Sequence, residues 1–496
     1  MIARDRCGRL EVRRDKKEVA MTKRWTVVRN GRIVTMDERL GILEGADILI
    51  EDGVITAIGS GLDAGDAEVI DATGRIVAPG FIDTHRHTWQ AQIRGMCGDW
   101  TLGDYISGVR FTISPAYAPD DVHLGNYAGA LEALDAGVTT LLDFSHCNNT
   151  PDHSDAAIRG LRDAGIRGVF GYGFFDSSPQ APRYFASHRE RIADFHRIAD
   201  TVGDDDLIRV GAALTEMASL ETTRAEIEAA RSRNALIVTH TGCIWAFPAG
   251  VAELDKSGLL DGNQVHVHCN TLSDDDWAAL ARHDAKISIS PETELNMGMG
   301  LPPFEQAKRH GLKPTLSADV VSFNSGDLFH QLRLGIAIAR WSGTKALNAA
   351  GIDPVRLTVT AHEALTWVTV NAAEAMGLSE LVGSITVGKR ADLMLVGGSG
   401  RSQRPAAHPE STLVFQTTPG DVETVLVDGN VVKRDGRLVG IDRASLDERL
   451  ERSAEQILGR VSASGSRLPG TPPGGLFQAV LAGSIDNEEE SAHVAR

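Results

Sequence analysis

The feature that most constrains the fold is a rhythm. Between about residues 79 and 380, short apolar runs alternate with amphipathic stretches, as in GVTTLLDFSH, then DAAIRGLRDAG, then IRGVFGYGFFD. Strands and helices that alternate in this way bury their apolar surfaces against each other in a parallel sheet wrapped by helices. The spacing predicts strands ending near His85, His146, Phe175, Thr215, His240, His268, Ser290 and Asp319. Eight such ends predict an α/β fold built as a closed (β/α)8 TIM barrel. Histidines and an aspartate fall at the C-terminal strand ends, where barrels of this kind place their chemistry.

The flanks read differently. From Trp25 to about Ala78, alternating strands are broken by NG, DG and TG turns, and a matching passage with DG turns returns in VETVLVDGNVVKRDGRLVG. The two chain ends are therefore expected to build one small β-sandwich. The organisation predicted is a charged, disordered leader (1–24), sandwich strands (25–78), the barrel (79–380), further sandwich strands (381–445), and a C-terminal helix with a polar tail (446–496). LTVTAHEALTWVTVNAAEAMGL is expected to be helical, and SASGSRLPGTPPGG to open the tail. Because strand pattern begins only at Trp25, translation is expected to start at Met21 rather than Met1, which N-terminal sequencing of the native protein checks.

Composition then narrows the partner. A formal net charge of -17 excludes a broad phosphate-backbone surface, which needs clustered Lys and Arg, so a small molecule is the expected ligand. Cys7, Cys97, Cys147, Cys243 and Cys269 show no CxxC spacing and do not read as a disulfide framework, which fits a reducing cytoplasm. The charged first residues lack the apolar run of a secretory signal, and no segment is long and apolar enough to span a bilayer.

The strongest local signal is APGFIDTHRH. His85 and His87 lie two apart on a strand, so both side chains project from one face and can chelate one ion. Two core histidines so close would otherwise compete for the few polar partners inside a barrel. His240 ends ALIVTH and His268 ends QVHVH, with His266 one layer deeper, where a hydrogen-bonded interior histidine is expected. Asp319 ends PTLSAD; alone it would read as a cap, but with three histidines it completes a His3Asp set that leaves positions for water.

PGFIDTHRH, QAQIRGMCGDWTLGDYI, GVTTLLD, the His240 and His268 strands, LSAD and VGKRADLMLV together resemble the amidohydrolase superfamily over about Trp25 to Gly440. The likeness is to its cytosine-deaminase-like and chlorohydrolase-like branch. It implies one metal held by His85, His87, His240 and Asp319, with His268 beside the attacking water or substrate oxygen and Asp319 taking the water's proton. Two-metal members carry a carboxylated lysine on the fourth strand, and LIRVGAALT has none, which favours one divalent ion. Zinc is the default, although iron, cobalt and manganese suit the same donors. The resemblance also implies a homo-oligomer.

One departure bears on mechanism. Related deaminases carry a glutamate three residues after the fifth-strand histidine, whereas HTGC puts Cys243 there. The proton shuttle is therefore sought among Cys243, Glu216 after the fourth strand, and Glu292 and Glu294 after the seventh, with Glu292 preferred because it directly follows the strand end. Trp89, Gln90, His146, Asn270 and Glu294 are expected substrate contacts, with Trp245, Met297 and Met299 nearby. The function expected is hydrolysis of a C–N bond, either deamination of an aminated heterocycle or cleavage of an amide, urea or cyclic amide. The alternative is an inactive barrel serving as a binding or assembly module.

Overall fold

The computed structural model describes residues 24–175, 184–203, 205, 207–397, 403–466 and 468. Of the expected leader only Arg24, and of the tail beyond residue 466 only Leu468, fall within them. Eight strands lie side by side in chain order: β1 (Phe81–Arg86), β2 (Val138–Ser145), β3 (Arg167–Gly173), β4 (Ile208–Ala213), β5 (Ile237–Thr241), β6 (Gln264–His268), β7 (Lys286–Ile289) and β8 (Pro314–Leu316). Every neighbouring pair is parallel. Both faces of the strands are covered, and all eight residues of β2 are buried, polar ones included.

The barrel shuts at its functional end. Just past β8, Asp319 bridges Arg86 in parallel. The His87 amide donates to the Asp319 carbonyl at 2.9 Å, and the Asp319 amide to the His85 carbonyl at 3.1 Å. Closure and the metal-ligand candidates thus share the same backbone. The glycine of PGF also has a packing reason, since a Cβ on Gly80 would lie 2.2 Å from the Thr139 side chain.

The two chain ends share a second, nine-stranded mixed sheet. Its seam is the antiparallel pairing of Ile76–Pro79 with Leu393–Val396, where Pro79 lies opposite Leu393. Side chains from both ends, among them Ile48, Ile50, Val77, Leu393, Leu395 and Leu426, meet in one apolar cluster. The DG pairs turn hairpins as expected: Asp52 and Gly53 sit at φ 48° and 82°, Asp428 and Gly429 at 53° and 71°. Both positions of such a turn need positive φ, which Asp tolerates and Gly adopts freely. The NG pair departs from expectation. Asn30 (φ 56°) and Gly31 lie inside the continuous strand Trp25–Val34, and the register against Ile42–Glu51 shifts there, which makes a bulge and not a turn.

A second departure lies after the barrel. The segment expected to be helical forms two short helices, Ala361–Thr366 and Val370–Ala375. Between them the Val368 carbonyl accepts the Ile82 amide of β1 at 2.9 Å, a tie to the barrel that a continuous helix could not make. A C-terminal helix does form, over Arg443–Ala463. At the N-terminal end of the barrel, Arg167 of β3 is buried and bonds Asp392 (2.9 and 3.1 Å) and Asp428 (2.8 Å), and Arg390 also pairs with Asp428. This cluster fastens the second sheet to the barrel. No described helix is long and apolar enough to cross a membrane.

Candidate active site

At the opposite end, four predicted ligands converge. His85 and His87 project together from β1, His240 from β5, and Asp319 closes the circle after β8. Asp319 Oδ1 lies 3.2 Å from His85 Nε2 and 3.4 Å from His87 Nε2, and His240 Nε2 lies 3.2 Å from His85 Nε2. His268 Nε2 stands 4.0 Å from Asp319 Oδ2. His268 and Asp319 both hold left-handed backbone, at φ 77° and 59°, a conformation that non-glycine residues adopt at a cost and that is common at functional sites.

Hydrogen bonding shows what these nitrogens are set to do. His87 Nδ1 lies 2.8 Å from the Phe144 carbonyl, which can only accept, so Nδ1 carries the proton and Nε2 presents a lone pair. His240 Nδ1 lies 2.5 Å from Glu216 Oε1. Burial works against the Glu216 charge, but Arg110, His146 and His240 outweigh it and hold the carboxyl well below the usual carboxylate range. Glu216 is therefore an acceptor, and His240 Nε2 also presents a lone pair. Burial keeps the histidines neutral: it pushes His85 down to about 4 and His87 well below its ordinary value. The His87 lone pair thus faces Asp319 Oδ1 at 3.4 Å, and the His240 lone pair faces His85 Nε2 at 3.2 Å. Such a donor set fits a divalent cation and little else.

Two carboxylates stand behind the histidines. Glu216, the first residue but two after β4, is gripped on its other oxygen by Arg110 at 2.8 Å. Glu294 lies 3.2 Å from His268 Nδ1 and accepts the Ser290 amide at 2.8 Å. Burial lowers the basicity of His268, but its bond to Glu294 and the charges of Asp319 and Glu294 raise it overall. Glu216 also lies near His146, so that His146, Glu216 and His240 form a further cluster of potential ligands. Arg110 already supplies the positive charge there.

Above this floor opens a cavity of about 660 Å³, lined by His87, His146, His240, His268 and Asp319 at its base and by a mixture of apolar and polar side chains elsewhere, Arg110 and Glu216 among them. That volume is in the range of small-molecule sites. The sequence model of the amidohydrolase family matches residues 76–432. The chain belongs to the amidohydrolase family. It is accordingly a hydrolase of C–N bonds other than peptide bonds.

Relatives of this amidohydrolase align along nearly their full length. A 5-methylthioadenosine/S-adenosylhomocysteine deaminase of Symbiobacterium thermophilum is 28% identical over 457 residues, covering 87% of this chain and 99% of that protein. A 5'-deoxyadenosine deaminase of Methanothermobacter thermautotrophicus is 26% identical over 442 residues, covering 84% and 96%. Among solved structures, an adenosine deaminase from Xanthomonas campestris with bound zinc superposes with a TM-score of 0.78 at 22% identity, covering 88% of this chain and 98% of that one. Atrazine chlorohydrolase from Arthrobacter aurescens complexed with zinc gives 0.75 at 20% identity, covering 86% and 100%. These two share the fold.

The remaining expected residues divide by position. Glu216, Cys243 and His146 line the cavity, and His146 stacks on His87 with ring centroids 4.1 Å apart. Burial pushes the Cys243 thiol up to about 12, so it holds its proton at neutral pH. Glu292, the preferred shuttle, is turned away from the cavity and bonded by Gln331 at 2.9 Å, with His330 3.7 Å away. The helix Pro291–Asn296 begins directly after β7, and residues 292 and 294 are rotated by about 200° from each other on it, so only Glu294 faces inward. Gln90, Asn270 and Trp89 sit behind the wall. Gln90 donates to the Tyr105 hydroxyl at 2.7 Å, Asn270 contacts Glu294 at 3.4 Å, and Trp89 packs on Tyr117. Met297 and Met299 line the cavity, while Trp245 donates to the Met299 carbonyl at 2.9 Å. His266 bonds Thr241 at 2.9 Å beneath the floor.

Arg110 is the functional residue that sequence reasoning missed. It lies in the π-helical stretch Ile106–Ile113, buried, with its guanidinium 4.3 Å over the Phe175 ring. A π-helical turn inside an otherwise helical segment is frequent at functional sites, but it leaves no mark in a hydrophobic pattern.

Proposed function

We propose that the chain deaminates an aminated nitrogen heterocycle, using one zinc ion held by His85, His87, His240 and Asp319. The observation that carries this reading is the aim of two histidine lone pairs, that of His87 at Asp319 Oδ1 and that of His240 at His85 Nε2, each fixed by the ring's other nitrogen. The absence of a lysine in β4 and the prior commitment of Glu216 to Arg110 support a single ion. Zinc is bound in the adenosine deaminase and chlorohydrolase that share the fold, and the curated relatives named above are deaminases. The cysteines among the described residues are free thiols, which supports a reducing cytoplasm.

A divalent ion held by His85, His87, His240 and Asp319 would supply an acidified water, of pKa about 7, as the nucleophile. Asp319 directs Oδ1 at His85 and His87, leaving Oδ2 on the His268 side to accept the water's proton. His268, oriented by Glu294, stands where it can hold the oxygen bonded to the attacked carbon. As the C–N bond breaks, the leaving nitrogen needs a proton. The proton that Asp319 took from the water is the one returned to the leaving nitrogen, and ammonia departs.

The test is a metal analysis joined to an assay of aminated purines, pyrimidines and triazines for ammonia. About one equivalent of zinc and ammonia release are expected. Carboxylate formation from amides or cyclic amides without ammonia from heterocycles would replace deamination by amide hydrolysis. Metal-free protein of full activity would overturn the site.

A further inference from the structure

Glu226 is a carboxylate where the helix pattern calls for an apolar side chain. The helix Leu220–Ser232, which follows β4, turns Glu226, Ile227, Ala229 and Ala230 inward, and Glu226 is completely buried. A buried carboxylate forfeits its hydration and is kept only where donors meet it. Both of its oxygens are met by one residue: Oε2 accepts the Thr215 amide at 2.9 Å, and Oε1 accepts the Thr215 hydroxyl at 2.6 Å. His188 Nε2, at the start of the helix His188–Val202, lies 2.7 Å from Oε1.

Thr215 stands directly before Glu216, and the backbone just beyond is strained. Met217 is held at φ 54°, a left-handed conformation that a non-glycine residue keeps only where its surroundings over-determine it. The restraints lie on both sides. Ahead of Met217, Glu226 fixes Thr215, while His240 Nδ1 at 2.5 Å and Arg110 at 2.8 Å fix the Glu216 carboxylate. After it, the Ser219 hydroxyl caps the helix by accepting the Thr222 amide at 3.2 Å. With Thr215 released, this short turn is free to relax, and the Glu216 carboxylate moves away from His240.

We infer that Glu226 is a positioning residue of the metal site: through Thr215 it sets the Glu216 carboxylate against His240 Nδ1, and so fixes the aim of His240 Nε2. This rests on the reading of His85, His87, His240 and Asp319 as zinc ligands.

The test measures zinc affinity of the full-length protein with a competing chelator. Each variant is made alone and in a Glu216→Ala background, where no carboxylate is left to place. Glu226→Ala should weaken zinc binding roughly tenfold, the lower end of the range for partners that orient metal ligands. Glu226→Gln, whose amide oxygen can still accept the Thr215 amide, should lose no more than about threefold. In the Glu216→Ala background, Glu226→Ala should cost less than about twofold, because residues that act through one another do not add. Thr215→Val removes only the hydroxyl bond and serves if Glu226→Ala does not fold; it should cost about threefold, again lost in the Glu216→Ala background. Unchanged affinity in Glu226→Ala, or in Thr215→Val where that variant replaces it, overturns the inference. So does a loss repeated in full in the Glu216→Ala background, or a Glu226→Gln variant as weak as Glu226→Ala. Wild-type protein that binds no zinc would refute the metal reading itself, and the inference with it.

Discussion

The barrel buries two clusters of charge, one at each end, and they are built on opposite plans. At the N-terminal end, Arg167, Arg390, Asp392 and Asp428 satisfy one another through contacts that run from a guanidinium to a carboxylate. At the C-terminal end, His85, His87, His240 and Asp319 crowd together with more acceptors than donors between them. The difference teaches how a fastening is told from a site. A fastening contains its own counter-charges, whereas a site is complete only with something the chain does not encode. Burial alone does not separate the two, because each has a buried centre, Arg167 and Asp392 in one, His85, His87 and Asp319 in the other.

The largest effect expected is at the incomplete end. His85→Ala or Asp319→Ala should lose the bound zinc and reduce kcat on the order of 10³-fold or more, since generation of the nucleophile depends on the ion. Metal analysis with single-turnover kinetics checks this, and full metal content in both variants would erase the distinction between the clusters. Arg167→Met should do the reverse. It leaves buried carboxylates without their partner, a loss of about 3–5 kcal/mol for a buried pair, read as a lower urea midpoint, while the folded variant keeps its zinc.

Glu216→Gln comes next. A glutamine can still accept from His240 Nδ1 but leaves Arg110 without a counter-charge. A roughly 10–100-fold loss of zinc affinity is expected, the scale of partners that orient metal ligands, and a competing chelator measures it. Unchanged affinity would mean that Glu216 belongs to the wall and not to the ligand set.

Acid separates the clusters further. Burial opposes the charge on Asp428, but hydrogen bonds from Arg390 and Arg167 outweigh it and lower its pKa. A carboxyl whose folded pKa is lowered contributes stability above its unfolded value of about 4 and loses it as pH falls through the folded value. The gap in urea midpoint between wild type and Asp428→Asn should therefore be widest near neutrality and narrow steadily below about pH 4. A gap independent of pH would show that packing, and not charge, fastens the second sheet.

How far the sequence foretold this arrangement depended on where each residue gets its partner. His85, His87, His240 and Asp319 could be read because strand periodicity fixes which way they point, and a strand end fixes their height in the barrel. The DG hairpins were legible for a similar reason, since positive φ at both turn positions selects those residues. The NG pair was not, because the same backbone preference serves a bulge as well as a turn and only the partner strand decides. Glu292 was misplaced because a helix starts without a linker after β7, so a shift of two residues turns a side chain from the cavity to the outside. Arg110 was invisible because its partners, Glu216 and Phe175, come from later strand ends.

The smallest effect expected is at Cys243, and it decides what became of the missing glutamate. If the thiol had taken over the proton shuttle, its removal would cost about 10²–10⁴ in rate, the usual contribution of a positioned acid or base. Its environment argues otherwise. Burial and the Glu216 charge nearby together raise the thiol to about 12, and Arg110 lowers it only in part. A thiol so held does not give up a proton readily near neutrality. Cys243→Ala should then change kcat by no more than about threefold, as for a cysteine that packs as a small apolar group. A hundredfold fall in kcat with zinc retained would move the shuttle from Asp319 to Cys243. A small change would take Cys243 out of the proton inventory of the reaction and leave the shuttle to Asp319 or to the carboxylates behind the histidines, Glu216 and Glu294.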